Sequence, residues 1–397
     1  MKKKIFNFSK KTLCAAICLV LFFGAATPAM SVSRYYKDKS ITATQNRFKW
    51  FYEQEENSID VVYIGSSSVY RYDINVQNYD EYGFTSAGLC SAAQPFVATK
   101  YLMEEALKTQ KPKLFVVDVR RVVRSVISGK TGETAYAHRS RLETYYASLF
   151  MSMKQSSTRW RMIDAVIDEA VLDPDYQDDT KHIRPEDADE EALSWQLEFL
   201  RYHNTWKDFD SFDELVNAIT STEKYDEVAS VNGVSLSEGI RSYSKFKGDY
   251  EKTTDVDPLP ECYQKVFDDL LDYIRENDLN VLFISTPYIS CTDDHKKVQN
   301  YISQYLTEEG FDYIDMHDHL EEIGLEAEND FYDKLHTNLY GAEKCTRYLG
   351  KIISEKIGKC EHSKAVDKSW KQAFKNWQPQ REILAQAIEN KISKEED

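Results

Sequence analysis

At 397 residues, with 42% hydrophobic and 13% aromatic residues, the chain has enough apolar material for one large α/β domain with an insertion, or for two domains. A formal net charge of -16 and a pI near 5.1 argue against a polyanion-binding protein, which usually carries a clustered basic face, so no nucleic-acid partner is expected.

Residues 1–11 form a basic segment in which Lys2, Lys3, Lys4, Lys10 and Lys11 precede an uncharged run from Thr12 to Ser33. As a helix at ~1.5 Å per residue, that run is long enough to cross a ~30 Å hydrocarbon core. The positive flank stays on the cytoplasmic side, which predicts a single-pass membrane anchor with an extracytoplasmic body. A cleavable signal peptide and a secreted body are the competing reading, because Thr27-Pro28-Ala29 and Ser31-Val32-Ser33 both offer small-x-small sites. Residues 34–56 then read as a stalk and 57–360 as the folded body.

Strand-like runs follow at "IDVVYIG" (59–65), "KLFVVDV" (113–119), "NVLFIST" (280–286) and "DYIDM" (312–316). Each is nearly continuously apolar, as strands buried on both faces of a parallel sheet are. Helical spacing links Ala98, Leu102, Met103, Ala106 and Leu107, then Cys262, Val266, Phe267, Leu270, Leu271 and Ile274, then Cys345, Tyr348, Leu349, Ile352 and Ile353. Alternating strands and helices predict an α/β fold with a doubly wound parallel sheet. A charged, aromatic stretch from about 125 to 252 interrupts the alternation and reads as a helical insertion. The end, 361–397, reads as a charged helical tail that packs on the surface or frays. Of seven cysteines, Cys14 and Cys18 lie in the apolar run; Cys90, Cys262, Cys291, Cys345 and Cys360 are scattered without C-x-x-C spacing, which fits neither a disulfide framework nor a zinc site. Cys262 and Cys345 fall on apolar helical stripes and read as core residues.

Two places carry candidate chemistry. In "NDFYDKLHTNLYGAEK" (329–344), Asp333 stands three residues before His336 on a turn entering a helix. A carboxylate there can accept the Nδ1 proton and leave Nε2 free as a base, although the motif alone favours a solvated Asp and a helix-capping His. In "VVYIGSSSVYRYD" the first strand ends at Gly65, followed by Ser66, Ser67 and Ser68. A serine after a strand can sit at a helix N-terminus where backbone N–H groups meet developing negative charge; alone, the cluster reads as an N-cap.

Together, a strand-terminal G-S-S near the start and D-x-x-H near the end resemble the SGNH/GDSL hydrolase superfamily. The segments "FYEQEENSIDVVYIGSSSVY", "AAQPFVATKYLMEEALKTQKPKLFVVDV", "LRYHNTWKDF" and "DFYDKLHTNLYGAEKCTRYLGKII" are similar to a membrane-anchored Gram-positive branch, itself distantly similar to the D-alanyl transfer protein of teichoic acid modification. The resemblance covers most of 51–357. It implies a flavodoxin-like three-layer α/β/α fold, with Ser67 as nucleophile, His336 as base and Asp333 as the orienting acid. It implies an oxyanion site from the Ser67 N–H and a donor among Ala92, Ala93 and Gln94. It implies a serine esterase or O-acyltransferase acting on acylated cell-wall polymers or glycans, alone or with a membrane acyltransferase partner, and needing no cofactor or metal. The chain departs from the pattern at the third block, where Asp118 or Arg120 stands in place of an asparagine; that departure supports an alternative, a catalytically decayed SGNH-fold protein for binding or assembly of cell-surface polymers.

Three further signals are weaker. "ISGKTGET" (127–134) ends like a phosphate loop, but Arg124 occupies the position of the opening glycine. "DMHDHL" offers Asp315, His317, Asp318 and His319 as zinc ligands only if the strand continues, and a loop is expected. Tyr202, His203 and Trp206 in "RYHNTW" read equally as substrate wall or as packing within the insertion.

Overall fold

The computed structural model describes residues 39–130, 146–171, 187–197, 230–231, 234–236, 239–248, 250 and 252–395, with Leu13, Cys14, Ile17, Cys18, Leu21 and Ile183. Five strands, β1 (Val61–Gly65), β2 (Ser86–Cys90), β3 (Leu114–Asp118), β4 (Val281–Ser285) and β5 (Asp312–Asp315), form one all-parallel sheet in the order β2-β1-β3-β4-β5. Val61 pairs with Ser86 on one side and Leu114 on the other, and Phe115 pairs with Val281. Alternate residues enter separate apolar layers. Val62, Ile64, Phe115, Val117 and Phe283 face one, whereas Val61, Tyr63, Leu114, Val116, Leu282 and Ile284 face the other. Burial on both faces is why these segments read as unbroken apolar runs.

The strand β2 is absent from the expected runs. Its sequence, Ser86-Ala87-Gly88-Leu89-Cys90, has low strand propensity and is held by its pairing to β1.

Between β3 and β4, two neighbours in the sheet, the chain makes its long excursion. Among the described residues it forms helices Arg120–Lys130, Ala147–Phe150, Ser157–Val171 and Ala188–Gln196, a two-stranded antiparallel pair, Ser230–Val231 with Val234–Ser235, and helix Glu261–Glu276. Phe150, Met162, Ile163, Val166 and Trp195 are buried in the same apolar layer as the sheet residues, so this part of the insertion extends the main core. Tyr202, His203 and Trp206 lie outside the described residues.

The amino-terminal end of the body departs from expectation. The second half of the expected stalk is helix Lys39–Tyr52, whose Phe48 and Phe51 are fully buried. The expected charged helical tail is helix Lys364–Glu395, which packs on the body and buries Trp370, Trp377, Leu384 and Ile388. The Trp50 and Trp370 rings meet edge to face at 6.0 Å, joining the two helices. Large aromatic side chains spaced along otherwise charged sequence hold both helices to the body, since each ring removes ~150–250 Å² from water. The run 12–33 lies almost wholly outside the described residues, among which no helix is long and apolar enough to cross a membrane. Cys90, Cys291 and Cys345 are buried and Cys262 and Cys360 half-buried, and none of them is in a disulfide.

Candidate active site

The carboxyl ends of the strands meet helix N-termini and loops at one edge, and the order of strands reverses at β1, where open α/β sheets place their crevice. At the end of β1 a side chain on Gly65 would put its Cβ 2.5 Å from Val69 Cγ2 and 3.0 Å from Asp118 Cβ. Glycine is needed there for close approach of helix Ser67–Tyr70 to β3, not for an unusual φ. The three serines have different fates. Ser68 is fully buried and donates to Asp118 Oδ2, Ser66 pairs with the Ser68 hydroxyl at 3.1 Å, and Ser67 is half-buried and reaches the cavity.

The other half of the site is the loop before helix Leu339–Ile357. Asn338 caps that helix, accepting from the N–H groups of Tyr340 and Gly341. Its own N–H donates to the Asp330 carbonyl at 3.0 Å, and a Phe331–Thr337 bridge closes the loop. A Cβ on Gly341 would lie 2.3 Å from that same Asp330 carbonyl oxygen, so helix and loop touch backbone to backbone. Thr337 Oγ1 donates to the Arg71 carbonyl at 2.7 Å, and Thr346 Oγ1 donates to the Tyr72 carbonyl at 3.1 Å. The late loop is thereby fixed to the segment immediately after Ser67.

Ser67 Oγ and His336 Nε2 are 2.8 Å apart, and His336 Nδ1 lies 3.0 Å from both oxygens of Asp333. Asp333 Oδ1 also accepts from the N–H groups of Leu335, at 2.6 Å, and His336, at 2.9 Å. Burial pushes the Asp333 carboxyl up, but the His336 hydrogen bond and charge and these two N–H groups outweigh it and hold the acid below the ordinary carboxylate range. Burial pushes His336 down to about 4, with the charges of Arg120 and Arg71 acting in the same direction against Asp333. The resting pair is therefore a carboxylate and a neutral imidazole, the state a base requires.

This sets a pH expectation. Labelling of Ser67 by an acyl-site fluorophosphonate should persist as pH falls through ~6.5, the ordinary histidine value, and decline near pH 4. The sign is the same for stability: His336 is depressed on folding, so its contribution is present above ~6.5 and lost as pH falls through about 4. A labelling midpoint at or above 6.5, with the fold intact by circular dichroism, would refute the neutral-base assignment.

A cavity of about 310 Å³ opens over Ser67 and His336. Ala92 and Ala93, from the turn after β2, line it, and no acceptor for either N–H is found among the described residues. Ala93 has φ 49, the left-handed region that L residues seldom adopt. Gln94 holds this turn: its Oε1 accepts from the Ser91 N–H at 2.9 Å, and the side chain is buried off the cavity wall. Gln94 is thus not among the residues that line the cavity, whereas Ala92 and Ala93 are.

No protein-family model matches the chain, and no curated protein matches it.

Sequence reasoning missed the arginines. Arg71, Arg120, Arg121 and Arg124 all line the cavity. Arg120 and Arg71 come together only because β1 and β3 are neighbours; the available hint was R-R-V-V-R, in which Val122 and Val123 are buried and Arg120 and Arg124 share a helix face. In "DMHDHL" the strand stops at Asp315. His317 is buried against Asp315 at 3.1 Å, whereas His319 points outward to Glu322, and no metal-binding group of His, Cys, Asp or Glu forms among the described residues.

Proposed function

We propose that the chain is a serine esterase or O-acyltransferase of the SGNH/GDSL type. Ser67 attacks an acyl carbon while His336 takes its proton and later returns it to the leaving group, and Asp333 orients the imidazole. The oxyanion of the intermediate is met by the Ser67 N–H and by a backbone N–H of Ala92 or Ala93. The observation that carries this reading is the unbroken hydrogen-bond chain from Ser67 Oγ through His336 to Asp333 on a cavity shared with the Ala92–Ala93 turn. The β2-β1-β3-β4-β5 order, with apolar layers on both faces, supports the flavodoxin-like three-layer frame that belongs with it.

Acylated cell-wall polymers or glycans are the proposed substrates, with the chain held at the cell membrane by its N-terminal segment and served in the transfer case by a membrane acyltransferase. The lysine-rich start, the uncharged run to Ser33 and the sequence resemblance support this. The rival, a decayed binding or assembly protein, is less well supported: the turn after β2 faces the cavity, and no described residue beyond Arg124 in the insertion lines it. A fluorophosphonate probe on the purified full chain tests the proposal by mapping the labelled residue. Labelling at Ser67, lost in Ser67→Ala, is expected; labelling that persists in that variant or moves to Ser66 would overturn it.

A further inference from the structure

The cavity above Ser67 and His336 carries four guanidinium side chains, and no carboxylate is among the described residues that line it. In a molecule of net charge -16, such a crevice is not a by-product of a basic surface. We infer that the site recognises an ester bearing an oxyanion group, phosphate or carboxylate, beside the bond that reacts, with Arg71, Arg121 and Arg124 forming the subsite. The inference rests on the esterase reading above and supplies its substrate class.

The four arginines do different things. Arg120 is 3% exposed and is a brace: its guanidinium donates to the Leu335 carbonyl next to His336, lies 3.3 Å from the Tyr72 hydroxyl and 3.4 Å from Thr286 Oγ1, and stacks 4.5 Å from the Tyr288 ring centroid. Arg71 is half-buried beside the aromatic rings of Tyr70, at 5.8 Å, and Tyr332, at 5.1 Å, and meets no carboxylate among the described residues. Its backbone is fixed by the Thr337 hydroxyl, so the guanidinium is held relative to His336. Arg121 and Arg124 enter from helix Arg120–Lys130, on the β3 side. Arginine forks suit oxyanions because they offer paired N–H groups, and they stay charged at any working pH.

The chemistry of the base points the same way. When His336 takes the serine proton it becomes a cation, and Arg71 and Arg120 already oppose a positive charge there. A substrate oxyanion placed among the arginines offsets that repulsion at the step where the imidazolium forms. The cavity, about 310 Å³, is of a size to take a small acyl group together with one such substituent.

The test is protection of Ser67 from the fluorophosphonate in the full chain, using inorganic phosphate, acetate and chloride at matched ionic strength. Phosphate or acetate should slow labelling saturably and chloride should not; the stronger of the two identifies the phosphate or the carboxylate source. Arg71→Gln and Arg124→Gln should each raise the half-protecting concentration about tenfold, relative to each variant's own anion-free rate, as expected for loss of one charged hydrogen bond. Labelling at Ser67 that is indifferent to both anions, or protection unchanged in both variants, would overturn the subsite and leave the esterase reading standing. Calorimetric titration of the same anions is run in parallel. Absence of labelling would then remove the esterase reading, while saturable binding weakened in Arg71→Gln would still support the subsite, and no binding would overturn it.

Discussion

Ser67→Ala and His336→Ala are each expected to lower turnover of a short aryl ester by ~10⁴–10⁶, and the double variant to lose no more than the worse single one. The reason is geometric. With Ser67 Oγ 2.8 Å from His336 Nε2, removing the hydroxyl leaves the imidazole no proton to take, and removing the imidazole leaves a serine of ordinary, feeble nucleophilicity. Either loss ends the same pathway, so the second has nothing left to remove. Asp333→Ala should cost less, because the imidazole would keep its backbone position through the loop's own hydrogen bonds while losing its orientation and the stabilisation of its cationic form. Steady-state kinetics on the four proteins decide the matter. Modest losses that multiply would show that Ser67 and His336 bind substrate independently.

Asp118→Ala should lower the free energy of unfolding by ~3–5 kcal/mol, read from urea titration, because several buried donors lose their acceptor together. Asp118 is 2% exposed at the end of β3. One of its oxygens accepts from the Arg120 N–H at 2.9 Å and from the Thr286 N–H at 3.4 Å. The other accepts from Thr286 Oγ1 at 3.1 Å and from the Ser68 hydroxyl. It therefore ties the ends of β1, β3 and β4 at the crevice. Asp118→Asn keeps one carbonyl oxygen and should cost distinctly less, while Ser68→Ala, which removes a single donor, should cost about 1 kcal/mol. A loss below about 1 kcal/mol for Asp118→Ala would mean that water replaces the carboxylate and that the three strand ends are held by packing alone.

Much of this arrangement could be read from the sequence, for a physical reason in each case. β1, β3 and β4 are covered on both faces, which forces continuous apolar runs that stand out from any amphipathic pattern. The Asp333–His336 spacing announces itself because both residues lie on one short turn. What stayed hidden depends on contacts between distant segments. Ser86, Ala87 and Gly88 adopt a strand only because β1 is there to pair with them. Asp118 or Arg120 occupies the region where the resembled pattern has an asparagine, and only the positions of Ser68, Thr286 and Arg120 disclose that Asp118 joins strand ends. Helix Lys39–Tyr52 was obscured by its polar average composition, although Phe48 and Phe51 lie one turn apart and face inward.

The excursion between β3 and β4 has a consequence for how the molecule comes into being. Ser67 and His336 are 269 positions apart, so a chain that stops before residue 333 contains the hydroxyl but neither the imidazole nor the acid. β1, β2 and β3 can associate through short connections, whereas β4 joins β3 only after everything from 119 to 280 has been made and its loop closed. Loop-closure entropy grows only as the logarithm of length, so this delay costs little in final stability; its weight falls on the time course. The Ser67–His336–Asp333 chain on which the proposed chemistry depends is thus missing from every incomplete product of synthesis, and it forms only when the two halves of the sheet have met.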